Sequence, residues 1–380
     1  MKSIDNNKRY SIKVDRLSFG YQKKDTCFSS ASFTLGCQEM AILISGGHLG
    51  KSTLIRILAG LENGYVGNIK LLNNSNSKLF NAFKNVVYLP EKPVFLENKS
   101  VLKNIEFAYK CLYENSNNLD YVVKTPKDFT NLENSNVSKL NAISRMKLEI
   151  ERAKLKNIKL LLIDRSILDI ESECNKRKVN FNENKESISI EYKKLINNSE
   201  SAIVVAETYD DIKFYGADNF SVLYLYMGKI YKYNNLAEFE NDIKEFDTLK
   251  FIPSRKNIVS KLELVNDKYY LFETNISNKK TFDFLLQENI KKRKNIDKNM
   301  KKYIKSGIYE KKCAEIEPLF KRKIPLNNKP ELLNKLIKLN YKSGDYFISS
   351  YKINSNGKCS KFLDSDFMFF DCITHEKIVL

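Results

Sequence analysis

At 380 residues, 42% hydrophobic and 12% aromatic, the chain is long enough for two folded domains. Its +18 charge fits an anionic partner such as nucleic acid, a membrane face or an acidic protein; residues 251–380 carry +12 of it, through 27 Lys+Arg against 15 Asp+Glu. Seven scattered cysteines and only two histidines, His48 and His375, argue against a zinc site, a disulfide framework or a catalytic triad and fit a reducing cytoplasm, while the absence of an apolar leader or of a run approaching ~18 apolar residues argues against secretion and membrane spanning.

Ser11–Tyr21 alternates as a half-buried strand does, Ser32–Leu35 gives a second strand, and Met40–Ile44 a third. The third leads into Ser45-Gly46-Gly47-His48-Leu49-Gly50-Lys51-Ser52-Thr53, followed by a run (Leu54, Ile55, Ile57, Leu58) with helical spacing. Such a corner suits a phosphate. Loop amides point inward, the helix N-terminus adds partial positive charge, Lys51 adds a full one, and the Ser52 hydroxyl can hold Mg²⁺. The G-x-x-x-x-G-K-[ST] pattern is kept except at its first glycine, which is Ser45.

Downstream, Asn85–Pro90 reads as a strand closed by proline, and Ser100 as the N-cap of a helix. Glu114–Ser138 is Asn- and Ser-rich with little periodicity. A helix over Arg145–Leu155 leads into Ile158–Asp164, an apolar strand ending in a carboxylate. There follow a charged insert (Asn175–Glu186), a helix over Ile188–Ile196, a buried strand over Ala202–Ala206, and a hairpin of Val222–Tyr226 with Lys229–Tyr231 about Met227-Gly228. Continuous apolar strands separated by helices indicate a covered, largely parallel sheet, hence an α/β domain. Near residue 250 the character changes, giving expected domains 1–248 and 249–380. The second, basic and α+β, is expected to hold a hairpin over Lys261–Glu273 about Asn266-Asp267 and helices over Glu288–Ser306 and Glu331–Leu339. Tyr346–Ile353 is expected to pair with Lys358–Leu363 about Asn356-Gly357.

Over roughly residues 9–232 the order of elements resembles an ATP-binding cassette (ABC) nucleotide-binding domain, a P-loop NTPase fold. Val14–Tyr21 looks like the family's first strand with its adenine-stacking aromatic, which would be Tyr21. Tyr88–Pro93 followed by Ser100–Ile105 resembles its Q-loop, with Glu91 in place of the glutamine. Arg152–Asp164 is similar to the helix-to-Walker-B segment, and Gly228-Lys229-Ile230 to the closing hairpin. Counting back, the LSGGQ signature falls on Leu140-Asn141-Ala142-Ile143-Ser144, where only Leu140 survives. Arg165 stands where the family has a catalytic glutamate, Glu207 where it has a switch histidine, and Leu168-Asp169 at the D-loop.

The resemblance implies that nucleotide-holding groups are retained: Tyr21, Ser45 through Thr53, and Asp164, with Ser52 and Asp164 supporting Mg²⁺. The groups for activating water or sensing the terminal phosphate are replaced, so no residue is nominated as catalytic and enzymatic activity stays open. Arginine stays protonated and cannot act as a base; Arg165 is expected to pair with the terminal phosphate or with Glu207. Ile143 is expected to block the backbone approach that signature glycines allow to a partner's nucleotide. The expected function is the ATP-binding subunit of a transporter or export system with impaired hydrolysis, cytoplasmic and peripheral at the inner membrane face. Its expected partners are a membrane-spanning subunit and a second ABC subunit in a homo- or heterodimer. The alternatives are a non-hydrolysing scaffold or regulator of an active paralogue and, least favoured, a nucleic-acid-associated protein.

Overall fold

The computed structural model describes residues 9–22, 25–46, 50–72, 85–113, 125–243 and 251, and beyond these the strand residues 255–265, 268–274, 320–325, 346–352, 367–371 and 377–378. The chain forms two compact units, Met1–Asp242 and Ile243–Leu380.

The first unit holds two sheets. β1 (Tyr10–Gln22), β2 (Asp25–Gly36) and β4 (Val66–Leu71) form an antiparallel sheet in the order β2-β1-β4. The second sheet is built from β3 (Met40–Ser45), β5 (Val86–Leu89), β6 (Leu160–Ile163), β7 (Ser201–Val205), β8 (Ser221–Tyr226) and β9 (Lys229–Tyr233). Its order is β5-β6-β7-β3-β8-β9, parallel throughout except for the β8–β9 hairpin. The hairpin turns at Met227-Gly228, where φ is 47° and 72°; two positive values match the strands' twist.

Helices connect the strands as a largely parallel α/β sheet requires: α1 (Lys51–Leu58), α2 (Val101–Tyr113), α3 (Ala142–Lys154), α4 (Ile167–Lys176), α5 (Phe181–Asn197), α6 (Tyr209–Tyr215) and α7 (Leu236–Asn241). The Ser100 hydroxyl accepts the Lys103 amide at 3.2 Å, as a cap should. The principal core joins both sheets through α1: Ile12, Phe28 and Phe33 from the antiparallel sheet meet Leu54, Leu58 and Leu223. Because β3 is central, its C-terminal end opens between β7 and β8, and the loop toward α1 emerges there.

One sequence reading needs correction here, and further elements went unread. The charged stretch Asn175–Glu186 is no insert: it closes α4 and opens α5, because its charges lie on exposed helix faces while Phe181 is buried. The aperiodic stretch before Ser138 includes short 3₁₀ turns at Lys127–Leu132 and Val137–Lys139, which bury Phe129 and Val137 against α2 and α3. β4 went unread, since Gly67 and Asn68 interrupt its short pattern.

The second unit contains an antiparallel sheet in the order β12-β11-β10-β13-β14-β15. Its strands are β10 (Arg255–Val265), β11 (Lys268–Thr274), β12 (Phe320–Pro325), β13 (Tyr346–Lys352), β14 (Phe367–Asp371) and β15 (Lys377–Ile378). The expected β10–β11 pairing is present, with Val265 opposite Lys268. The expected partner of Tyr346–Ile353 is replaced: β13 pairs with β10 on one side and β14 on the other. The Asn266-Asp267 and Asn356-Gly357 turns, Lys358–Leu363 and the expected helices Glu288–Ser306 and Glu331–Leu339 lie outside the described residues.

Candidate functional site

Chain geometry at the end of β3 follows from one glycine. Gly50 caps α1 at φ 84°, a left-handed value that favours glycine, and a Cβ there would meet Leu225 at 3.0 Å and Phe28 at 3.3 Å. No side chain caps this helix end among the described residues, and its first turn has no acidic residue, so its amides and partial positive charge face the loop. Gly47, His48 and Leu49, three of the expected phosphate-binding positions, lie outside the described residues; Ser45, Gly46 and Gly50 frame them.

The Lys51 side chain is only 4% exposed, and its ammonium donates to Ser45 Oγ at 2.7 Å. The apparent defect of the motif, serine for the first glycine, therefore supplies an acceptor for the lysine. Exposed Ser52 donates its hydroxyl to Asp164 Oδ1 at 2.9 Å, and Tyr88 donates to Asp164 Oδ2 at 3.4 Å. Burial raises the Asp164 carboxyl above its ordinary range, against the lowering effect of those two donors. Burial and the facing carboxylate push the Tyr88 phenol up to about 12, so it stays a donor. Ser52 at the start of α1, next to Lys51, and Asp164 beyond β6, far apart in sequence, thus meet at one corner.

Tyr21 is 56% exposed, its ring edge-on to Phe19 at 5.0 Å. Its hydroxyl reaches Thr53 Oγ1 at 3.4 Å and donates to Glu62 at 3.3 Å, which holds the ring beside the first turn of α1.

The replaced positions behave differently from one another. Arg165 does not make the Glu207 pairing expected from sequence, nor does its side chain turn toward Lys51 and Ser52. Its side chain is buried, donating to Glu149 at 2.7 Å, Tyr192 at 2.6 Å, and the Pro90 and Glu91 carbonyls at 2.5 and 3.0 Å. Burial would lower its pKa, but Tyr192 and Glu149 outweigh that and hold the guanidinium firmly charged. Strand β6 ends just before Asp164, and the chain's alternation sends Asp164 and Arg165 to opposite sides. The Glu91 carboxylate is 59% exposed and lies 3.9 Å from Lys92.

Glu207 instead pairs with Lys51, its Oε1 3.0 Å from Nζ. Fully buried Asp211 sets that position by accepting the amides of Glu207 (2.9 Å), Thr208 (2.8 Å) and Ile167 (2.5 Å). Sequence reading missed Asp211, although Thr208-x-x-Asp211 is a capping-box pattern that could have revealed it. Asp169, at the expected D-loop, sits in the first turn of α4 and accepts the Ser166 amide at 2.8 Å. At the signature positions, Asn141 caps α3 through the Ser144 amide at 2.8 Å, and Ile143 is buried.

A family model described as ABC transporter matches residues 28–167. The ATP-dependent lipid A-core flippase of Wigglesworthia glossinidia brevipalpis is 25% identical over 251 residues, covering 62% of this chain and 40% of that protein. The molybdate/tungstate import ATP-binding protein WtpC of Methanocaldococcus jannaschii is 29% identical over 156 residues, covering 40% and 52%. The tungstate uptake system ATP-binding protein TupC of Campylobacter jejuni is 25% identical over 293 residues, covering 73% and 82%. The chain spans about half, or less, of the length of the first two relatives. No described helix is long and apolar enough to cross a membrane. The segment 28–167, which contains the strand–loop–helix corner, is thus similar to the ABC transporter family.

Proposed function

We propose that this chain is an ATP-binding subunit of an ABC-type transporter, holding Mg²⁺–ATP at the corner described above. The carrying observation is the convergence of buried Lys51, exposed Ser52 and Asp164, with Ser52 Oγ and Asp164 Oδ1 2.9 Å apart at the open N-terminus of α1. This donor set fits a polyphosphate and a hard divalent cation that binds oxygen. Bound Mg²⁺ would supply charge neutralisation, with Ser52 and Asp164 as the groups to hold it. Ser45, Gly46, Gly47, His48, Leu49, Gly50 and Thr53 complete the phosphate loop, and Tyr21 carries the base. Relatives named as a flippase and as import ATP-binding proteins support a partnership with membrane-spanning chains and with a second ABC subunit, at the cytoplasmic face of the membrane.

Hydrolysis is slow or absent in this reading. Glu91 sits at the glutamine position, Arg165 is committed to the core, and Glu207 occupies Lys51. The same Lys51–Glu207 contact favours a second reading, a scaffold or regulator of an active paralogue. Thermal unfolding with Mg²⁺–ATP at ten times its Kd should give about 1.4 kcal/mol of stabilisation, and none in Lys51→Ala. Absence of a shift in both proteins would favour the scaffold. Phosphate release at about 1 per second or faster, within ordinary enzyme rates, would overturn impaired hydrolysis.

A further inference from the structure

We propose that Glu207 is a specificity-determining residue that makes this cradle favour a nucleoside diphosphate over a triphosphate. The inference rests on the nucleotide-binding reading and adds which nucleotide the site prefers. The Lys51–Glu207 pair is 4% and 23% exposed, so water and salt screen it weakly. Glu207 lies 3.0 Å from Nζ, and a phosphate oxygen bonded to that nitrogen lies at about the same distance. The two anions are then at most about 6 Å apart. A triphosphate brings one more charged phosphoryl group than a diphosphate to the lysine end of the loop. The α1 N-terminus and any Mg²⁺ that Ser52 and Asp164 would hold attract both nucleotides, whereas repulsion from Glu207 grows with the added charge. Its backbone cannot retreat easily, because buried Asp211 anchors the Glu207 amide at 2.9 Å and the Thr208 amide at 2.8 Å. Ser45, accepting from Nζ at 2.7 Å, also holds the lysine.

Isothermal titration of the full chain with Mg²⁺–ADP and Mg²⁺–ATP tests this. Wild type should bind ADP about tenfold more tightly than ATP. Glu207→Gln, which keeps size and removes charge, should raise ATP affinity about tenfold and ADP affinity less than about threefold. Glu207→His should move the ratio the same way and serves if the first variant melts early. Equal affinities in wild type, or a ratio that neither variant changes while binding persists, overturn the inference and leave nucleotide binding standing. No binding of either nucleotide by wild type or by the variants overturns both.

Discussion

Asp164 and Arg165 are neighbours in the chain, and both side chains are largely or fully buried, yet they belong to two different regions. Asp164 faces the start of α1 and meets the Ser52 and Tyr88 hydroxyls. Arg165 faces the interior, where Glu149, Tyr192 and two carbonyls take its donors, and Tyr215 donates to its own carbonyl at 2.8 Å. Read from sequence, Arg165 is a missing catalytic carboxylate. In the fold it is a tie between β6, α3 and α5. A substitution at a catalytic position can therefore remove a chemical group from the site without putting another in its place.

The sharpest way to break this comparison is to remove the tie. Arg165→Met takes from buried Glu149 its 2.7 Å partner and leaves Tyr192 without the donor it accepts, and should cost about 3–5 kcal/mol in chemical denaturation. A loss below about 1 kcal/mol would show that the interior does not depend on the pair. Arg165→Glu, nominally restoring the family's base, should be destabilised as well and gain no phosphate release, because its side chain enters the same interior beside Glu149. Recovery of turnover in that variant would mean that position 165 faces the nucleotide after all.

On the other side of the comparison, Tyr21→Ala should leave melting nearly unchanged, since the ring is 56% exposed, while weakening ATP binding. Base stacking on an aromatic ring is worth about 1–3 kcal/mol, or roughly 5- to 150-fold in Kd. Equal ATP binding by wild type and variant would remove Tyr21 from the site and leave the base without a platform.

What sequence could reveal divides along the same line. Local patterns made the strand–helix corner legible: an apolar strand, glycines, Lys51-Ser52, and a second apolar strand ending at Asp164 need no knowledge of distant contacts. The parallel sheet followed from continuous apolar runs, and the Met227-Gly228 hairpin from its turn residues. Arg165 was misread because its partners Glu149 and Tyr192 lie on α3 and α5, and nothing local announces that Glu149 turns inward. The Lys51–Glu207 pair was hidden for a similar reason, as it joins the end of β7 to the start of α1 across adjacent strands. Ser45 looked like damage to a motif until its hydroxyl was seen to accept from Lys51.

The smallest effect has the most telling sign. Burial holds the Asp164 carboxyl above its ordinary value of 3.8, so the folded chain takes up this proton more readily than the unfolded one. Stability linked to Asp164 is then fully present below that ordinary value and is lost as pH rises through the folded pKa. At pH 7, without nucleotide, the ionised carboxylate is a net cost. Asp164→Asn should be slightly more stable than wild type at neutral pH, far less than Arg165→Met is weakened, and the gain should vanish toward acid pH. The same variant should bind Mg²⁺–ATP more weakly, because an amide gives the metal less charge. Opposite signs for stability and binding are expected of a group kept for what it binds, since function there is maintained at some expense of stability. Loss of stability at pH 7 in Asp164→Asn would make both neighbours structural ties, and the distinction between the two regions would collapse.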